Sequence, residues 1–124
     1  MPRRISRKNA RCKEIAMATV TIIGAGMMGP ALAFPARENG NRVRIVGTPL
    51  DREIIESAKR TNRHPKFKRD FPDGVEFYQI EDMDRAVEGA DMIIGGVSSF
   101  GVDWFGENVL PRIPDSIPVL SVTK

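Results

Sequence analysis

Short apolar runs and amphipathic stretches alternate along this chain at a regular spacing. The apolar runs are Thr19–Ile23, Arg42–Val46, Val75–Tyr78, Asp91–Gly95 and Pro118–Val122, each of four or five residues. Most are rich in Val and Ile, which suits a pleated, buried strand. Helical spacing fills the gaps. Met27–Asn39 places Met28, Leu32 and Ala36 on one face, and Gly40 stands where a glycine ends a helix. Pro35 inside this stretch predicts a kink or a cost of about 3 kcal/mol, whereas Pro30 falls in the first turn, where a missing N–H costs less. Thr48-Pro49-Leu50-Asp51 reads as a capping box that opens a second helix to about Arg60, with Leu50, Ile54, Ile55 and Ala58 facing inward. A short helix is predicted over Asp82–Val87, ended by Gly89, and a looser one over Gly101–Leu110.

The first junction carries the most chemistry. Thr19–Ile23 breaks directly into Gly24-Ala25-Gly26-Met27-Met28-Gly29, a GxGxxG turn that opens the first helix. In that setting Gly24 makes the tight turn, Gly26 lets backbone approach a pyrophosphate, and Gly29 allows close packing of helix on strand. The free N–H groups and the positive dipole end of the helix face the same place. The chain is therefore expected to be α/β: a Rossmann-type, doubly wound parallel sheet of about five strands in order 3-2-1-4-5. Ligand then belongs at the carboxyl ends of the first and fourth strands, where the order reverses. The candidate dinucleotide-binding residues are Gly24, Ala25, Gly26, Met27, Met28 and Gly29.

The other strand ends are less specific. Cofactor choice is read at the end of the second strand, where an acid takes the ribose 2′-OH. Gly47-Thr48-Pro49 stands there instead, so NAD and NADP both stay open. Thr48 is a candidate cofactor contact. Asp51 is explained equally by capping, and Arg52 by a place on the helix surface or beside a 2′-phosphate. Beyond the fourth strand, Ser98 and Ser99 either contact the cofactor or cap the next helix; Phe100 and Trp104 read as core. Residues 61–74 are polar and hold Arg63, His64, Lys66, Lys68 and Arg69. They read as a solvated basic loop, and His64 alone carries no catalytic signal.

Composition narrows the class. A chain of 124 residues, 41% hydrophobic and 28% charged, fits one globular domain. The single Cys12 excludes an internal disulfide framework, no Cys/His spacing suggests zinc, and no apolar run reaches the ~18 residues of a membrane span. The net charge of +3 comes from the start of the chain. Residues 1–16 hold six bases and one acid; the remaining 13 bases and 15 acids give −2. No nucleic-acid partner is expected for the domain. Residues 1–17 are read as a disordered basic leader, with Met17 a second candidate start; a transit peptide or a basic arm for an anionic partner are the alternatives. The dinucleotide-binding domain is placed at 18–124.

Taken in order, these pieces resemble the N-terminal domain of NAD(P)-dependent glycerol-3-phosphate dehydrogenase. The resemblance rests on Ile23 to Gly29, Ala31-Leu32-Ala33, Glu38 to Arg44, Gly47-Thr48, Asp51, Gly95 to Phe100 and the ending Val119 to Lys124. It covers about Ala18 to Lys124. Pro30 departs from the small residue usual at its position. The resemblance implies NAD or NADP as cofactor and hydride transfer between sn-glycerol 3-phosphate and dihydroxyacetone phosphate. It also implies a cytoplasmic setting, a role in phospholipid synthesis or glycerol metabolism, and a homodimer in the full enzyme. By position Lys124 matches the family's lysine near the substrate. The family's second, helical domain is not in this sequence, so no turnover is expected from this chain alone, and an uncovered last strand predicts self-association. The alternatives are a dinucleotide-binding module without chemistry, or the remnant of a truncated gene. Ketopantoate and β-hydroxyacid reductases share the glycine turn, but Gly47-Thr48 and Thr123-Lys124 argue against them.

Overall fold

The computed structural model describes residues 18–26, 28–67, 70–97 and 101–122. Among them, five strands form one parallel sheet: β1 (Thr19–Ile23), β2 (Arg42–Val46), β3 (Glu76–Tyr78), β4 (Met92–Gly95) and β5 (Val119–Ser121). Their order is β3-β2-β1-β4-β5, the order expected. Register is set at the centre, where Thr19 to Ile23 pair with Arg42 to Val46 on one side and Val20 to Ile23 pair with Met92 to Gly95 on the other. Four helices make the crossovers: α1 (Met28–Glu38), α2 (Arg52–Thr61), α3 (Met83–Val87) and α4 (Val102–Asn108).

Strand alternation sorts the side chains into two layers. Val20, Ile22, Val43, Ile45 and Ile94 lie under α1 and α2 with Ala33, Phe34, Ile55 and Ala58. Ile23, Val46 and Ile93 face the opposite layer with Met83, Ala86, Val87, Phe105 and Val109. Each large aliphatic side chain buried in this way contributes roughly 1.5–3 kcal/mol. Thr21 points into the second layer and is fully buried; its hydroxyl donates to the Ala86 carbonyl at 2.5 Å, so the polar atom is satisfied. In the same layer Tyr78 is half-buried; burial raises its phenol above the ordinary value, and the Glu76 carboxylate adds to the effect.

Two helix boundaries follow their expected signals. At the end of α1, Gly40 takes φ +88°, the Gly40 N–H donates to the Arg37 carbonyl, and the Asn41 N–H donates to the Ala36 carbonyl. This is a Schellman ending. Thr48 caps the turn Pro49–Asp51 with both halves of the capping box formed. Two expectations are corrected. Leu50 does not face inward but is 94% exposed, because Pro49–Asp51 is a separate 3-10 turn and α2 proper begins only at Arg52. The buried face of α1 runs through Gly29, Pro30, Ala33 and Phe34, with Leu32 and Ala36 half-buried, since the glycine contact turns Gly29 toward the sheet. Pro35 lies inside α1, as expected: Pro35 and Ala31, whose carbonyl loses its partner, both lie on the exposed side where water can reach it.

The described part of 61–74, which leaves out Lys68 and Arg69, is also more than a solvated loop. Asn62 closes α2 in the left-handed conformation, and its side chain donates to the Phe71 carbonyl. Phe67 and Phe71 then pack with Phe34 and Phe77, with ring centroids 5.2–6.1 Å apart. Arg63 pairs with Asp70 at the surface, while His64 is 1% exposed. At the far edge of the sheet, β5 is exposed along its length, Leu120 by 51%.

Candidate functional site

The turn from β1 into α1 is built by contact between backbones. Gly24 takes φ +116°, a conformation that side chains other than glycine rarely adopt. A Cβ there would lie 2.7 Å from the carbonyl carbon and oxygen of Gly96, just past β4. A Cβ on Gly29 would lie 2.7 Å from the Gly24 oxygen, and one on Gly96 would lie 2.9 Å from the Gly29 Cα. Gly24, Gly29 and Gly96 thus pack against one another with no room for a side chain on any of them. The expected tight turn at Gly24 and close approach at Gly29 are both present. Gly26 differs: it is exposed, and a Cβ on it would meet nothing within 4 Å.

A cavity of about 550 Å³ opens at the carboxyl end of the sheet, lined by Gly24, Gly26, Thr48–Asp51, Gly96, Val97, Gly101 and Trp104. That volume is in the range of small-molecule sites. It lies where the strand order reverses, as expected. The glycines supply backbone, and Pro49, Leu50, Val97 and Trp104 supply apolar walls. The high exposure of Leu50 comes from its place on this rim. Trp104 is half-buried and belongs both to the wall and to the core layer beneath it.

Asp51 links two parts of the rim. Its Oδ2 accepts from the Thr48 N–H at 2.9 Å, from the Thr48 hydroxyl at 3.0 Å and from the Ala25 N–H at 2.9 Å. The capping box is legible in the sequence; the third bond, across to the glycine turn, is not. Arg52 lies outside the lining. It makes a two-pronged bond to Glu81 at 2.8 and 3.0 Å. That hydrogen bond raises the Arg52 guanidinium above its ordinary value and holds the Glu81 carboxyl below the usual range. Both groups are exposed, so salt screens the pair.

Of the expected cofactor contacts, Gly24, Gly26 and Thr48 line this cavity, whereas Ala25 and Gly29 are buried within the turn and are not part of the lining, and Met28 begins α1. The leader 1–17, Met27, Ser98, Ser99, Phe100 and Lys124 lie outside the described residues. Gly101 holds the N-cap of α4 with no side-chain cap bond. Gly95 makes room for the Phe105 ring, 3.0 Å from where its Cβ would be. Sequence reasoning missed His64, whose ring reaches the Ala25 carbonyl at 2.9 Å. Among the described residues no three His, Cys, Asp or Glu side chains gather as a metal site, and no helix is long and apolar enough to cross a membrane.

Comparison with known proteins bears on this site. Residues 19–124 match the family model for the NAD-dependent glycerol-3-phosphate dehydrogenase N-terminus. The NADP(+)-dependent glycerol-3-phosphate dehydrogenase of Archaeoglobus fulgidus is 40% identical over 101 residues, covering 82% of this chain and 30% of that protein. A glycerol-3-phosphate dehydrogenase [NAD(P)+] of Chlamydia trachomatis is 35% identical over 85 residues, covering 68% of this chain and 24% of the relative. The crystal structure of glycerol-3-phosphate dehydrogenase from Coxiella burnetii superposes with a TM-score of 0.76 at 24% identity, covering 86% of this chain and 32% of that one. A ketopantoate reductase from Ralstonia eutropha superposes at 0.63 with 21% identity, over 86% of this chain and 34% of that one, a likeness of fold. The chain spans less than a third of the length of the two curated relatives named.

Proposed function

The chain belongs to the NAD-dependent glycerol-3-phosphate dehydrogenase family, and from that premise we propose that it is the cofactor-binding part of such an enzyme. Its ligand is NAD or NADP, held in the cavity at the carboxyl ends of β1, β2 and β4. The observation that carries the proposal is the contrast within the turn: Gly24 and Gly29 are packed solid, and Gly26 opens on empty space beside the N-terminus of an 11-residue helix. Donor groups and the positive helix end suit an anion there. The residues fit the group.

Each residue then has a task. The backbone at Gly26, Met27 and Met28 donates to the pyrophosphate, with Ala25, Gly24 and Gly29 holding the turn in place. Thr48 and Asp51 border the adenosine ribose, and Pro49 and Leu50 offer apolar surface to the base. Ser98 and Ser99, next after β4 in the sequence, are assigned to the cofactor on the sequence pattern alone. Lys124 is assigned to the substrate on resemblance alone. The dinucleotide, when bound, supplies the hydride chemistry that interconverts sn-glycerol 3-phosphate and dihydroxyacetone phosphate. The domain spans 18–124, with 1–17 as a basic leader. The full enzyme is proposed to be a cytoplasmic homodimer serving phospholipid synthesis or glycerol metabolism.

Selectivity between the two dinucleotides is proposed to be weak. No carboxylate stands at the end of β2 itself; Asp51 shares its Oδ2 charge among three donors, and Arg52 is balanced by Glu81. Calorimetric titration of the chain with NADH and NADPH checks this. Binding at one site per chain is expected for both, with dissociation constants within tenfold of each other. A hundredfold preference would overturn the reading of selectivity, and no saturable binding of either would overturn the assignment itself.

A further inference from the structure

Ala25 is held from both sides by groups distant in sequence. Its N–H donates to Asp51, 26 residues on, at 2.9 Å. Its carbonyl accepts from His64, 39 residues on, also at 2.9 Å. The histidine is itself fixed. The Lys66 N–H donates to Nδ1 at 3.0 Å, which leaves Nε2 as the nitrogen that carries the proton. The ring is 1% exposed and stacks on Phe67, centroids 4.6 Å apart.

Two anchors on one residue, the one at His64 buried, fix two peptide planes. In a trans peptide the C=O and the following N–H point in opposite directions. Drawing the Ala25 N–H to Asp51 sends the Gly24 carbonyl the other way, and its oxygen is found against Gly29, where a Cβ would come within 2.7 Å. Drawing the Ala25 carbonyl to His64 likewise sends the Gly26 N–H away from the buried ring. Gly26 is exposed and lines the cavity, whereas Ala25 is 1% exposed. We propose that His64 is a positioning residue: its Nε2–H bond to the Ala25 carbonyl turns the Gly26 N–H into the cavity, toward the cofactor's pyrophosphate. The proposal rests on the dinucleotide reading above. It gives the polar loop after α2 a role in cofactor affinity through an atom that never touches the cofactor. Without the bond, the Ala25–Gly26 peptide is free to rotate, and ordering it is charged against binding.

Two amide replacements separate this role from packing. His64→Gln places an amide N–H near the position of Nε2 and keeps the bond to Ala25. His64→Asn mimics Nδ1, keeps a partner for the Lys66 N–H and falls short of Ala25. Both lose the stacking on Phe67. The expected result is a dissociation constant for NADPH within about threefold of the parent chain in H64Q and about tenfold weaker in H64N. Without cofactor, the Gly26 amide proton resonance is expected to move in H64N and to stay in H64Q. A difference under threefold between the two variants, or an unmoved Gly26 resonance in H64N, would overturn the proposal. If the parent chain binds no dinucleotide, the reading beneath it fails, and the Gly26 resonance alone decides the clamp. Should neither variant fold, the parent chain's imidazole 15N pattern decides: the Nε2–H tautomer is expected, and the Nδ1–H tautomer would refute it.

Discussion

Replacing Gly24 with alanine is expected to cost about 2–6 kcal/mol of folding stability, the sum of backbone strain and overpacking at about 1–3 kcal/mol each. The strain follows from φ +116°, and the overpacking from a Cβ 2.7 Å from backbone atoms of Gly96. Neither can be relieved by a flexible side chain, because the crowding atoms belong to the main chain at the end of a central strand. In urea the midpoint should fall by about 0.7 M or more, given a slope of about 1–3 kcal/mol per M. Gly40→Ala is the control. Gly40 also has a positive φ, but a Cβ there meets nothing within 4 Å. Strain without crowding should cost about 1 kcal/mol there. Equal effects at the two positions would contradict the account of the turn.

Gly26→Asp should give the reverse pattern. No atom lies within 4 Å of the added Cβ, and Gly26 is exposed at the start of a helix whose N-terminus favours an acid. The urea midpoint should therefore stay within the equivalent of about 0.5 kcal/mol of the parent. Dinucleotide affinity should fall at least a hundredfold, roughly 2.7 kcal/mol, because a carboxylate would stand where the pyrophosphate is proposed to lie, and like charges at close range repel by a few kcal/mol near a protein surface. Gly26→Asn, of the same size but neutral, should lose much less. Were both variants to bind like the parent, the pyrophosphate would not be at Gly26.

These two glycines, two residues apart, mark how far the amino-acid pattern alone reaches. The strand–turn–helix setting assigns different work to Gly24, Gly26 and Gly29, and the geometry separates them along the same line: left-handed turn, open space and crowded contact. The strand order is equally legible, because five short apolar runs alternating with helical stretches leave few right-handed parallel arrangements. Leu50 departs from its expected inward face because Pro49–Asp51 looks like a first helical turn in sequence, yet winds as a 3-10 turn and rotates the side chain outward. Phe67 and Phe71, four residues apart in a segment otherwise polar, are the signal that this segment returns to the core. The His64 bond leaves no signal of its own, since a side chain reaching a main-chain carbonyl 39 residues away follows no periodicity. The link from Asp51 to Ala25 is hidden behind a local role that already accounts for the residue.

Binding of a dinucleotide at the turn between β1 and α1 is tested most directly by an amide map of the isotopically labelled chain under NADPH titration. Saturable shifts are expected at Gly26, at Thr48 and Asp51 on the rim, and at Gly96 and Val97 beyond β4, while amides along β5 stay still. Shifts confined to the neighbouring cavity beside Ile80, Asn108 and Arg112, or no shift at Gly26 at saturation, would contradict binding at this turn.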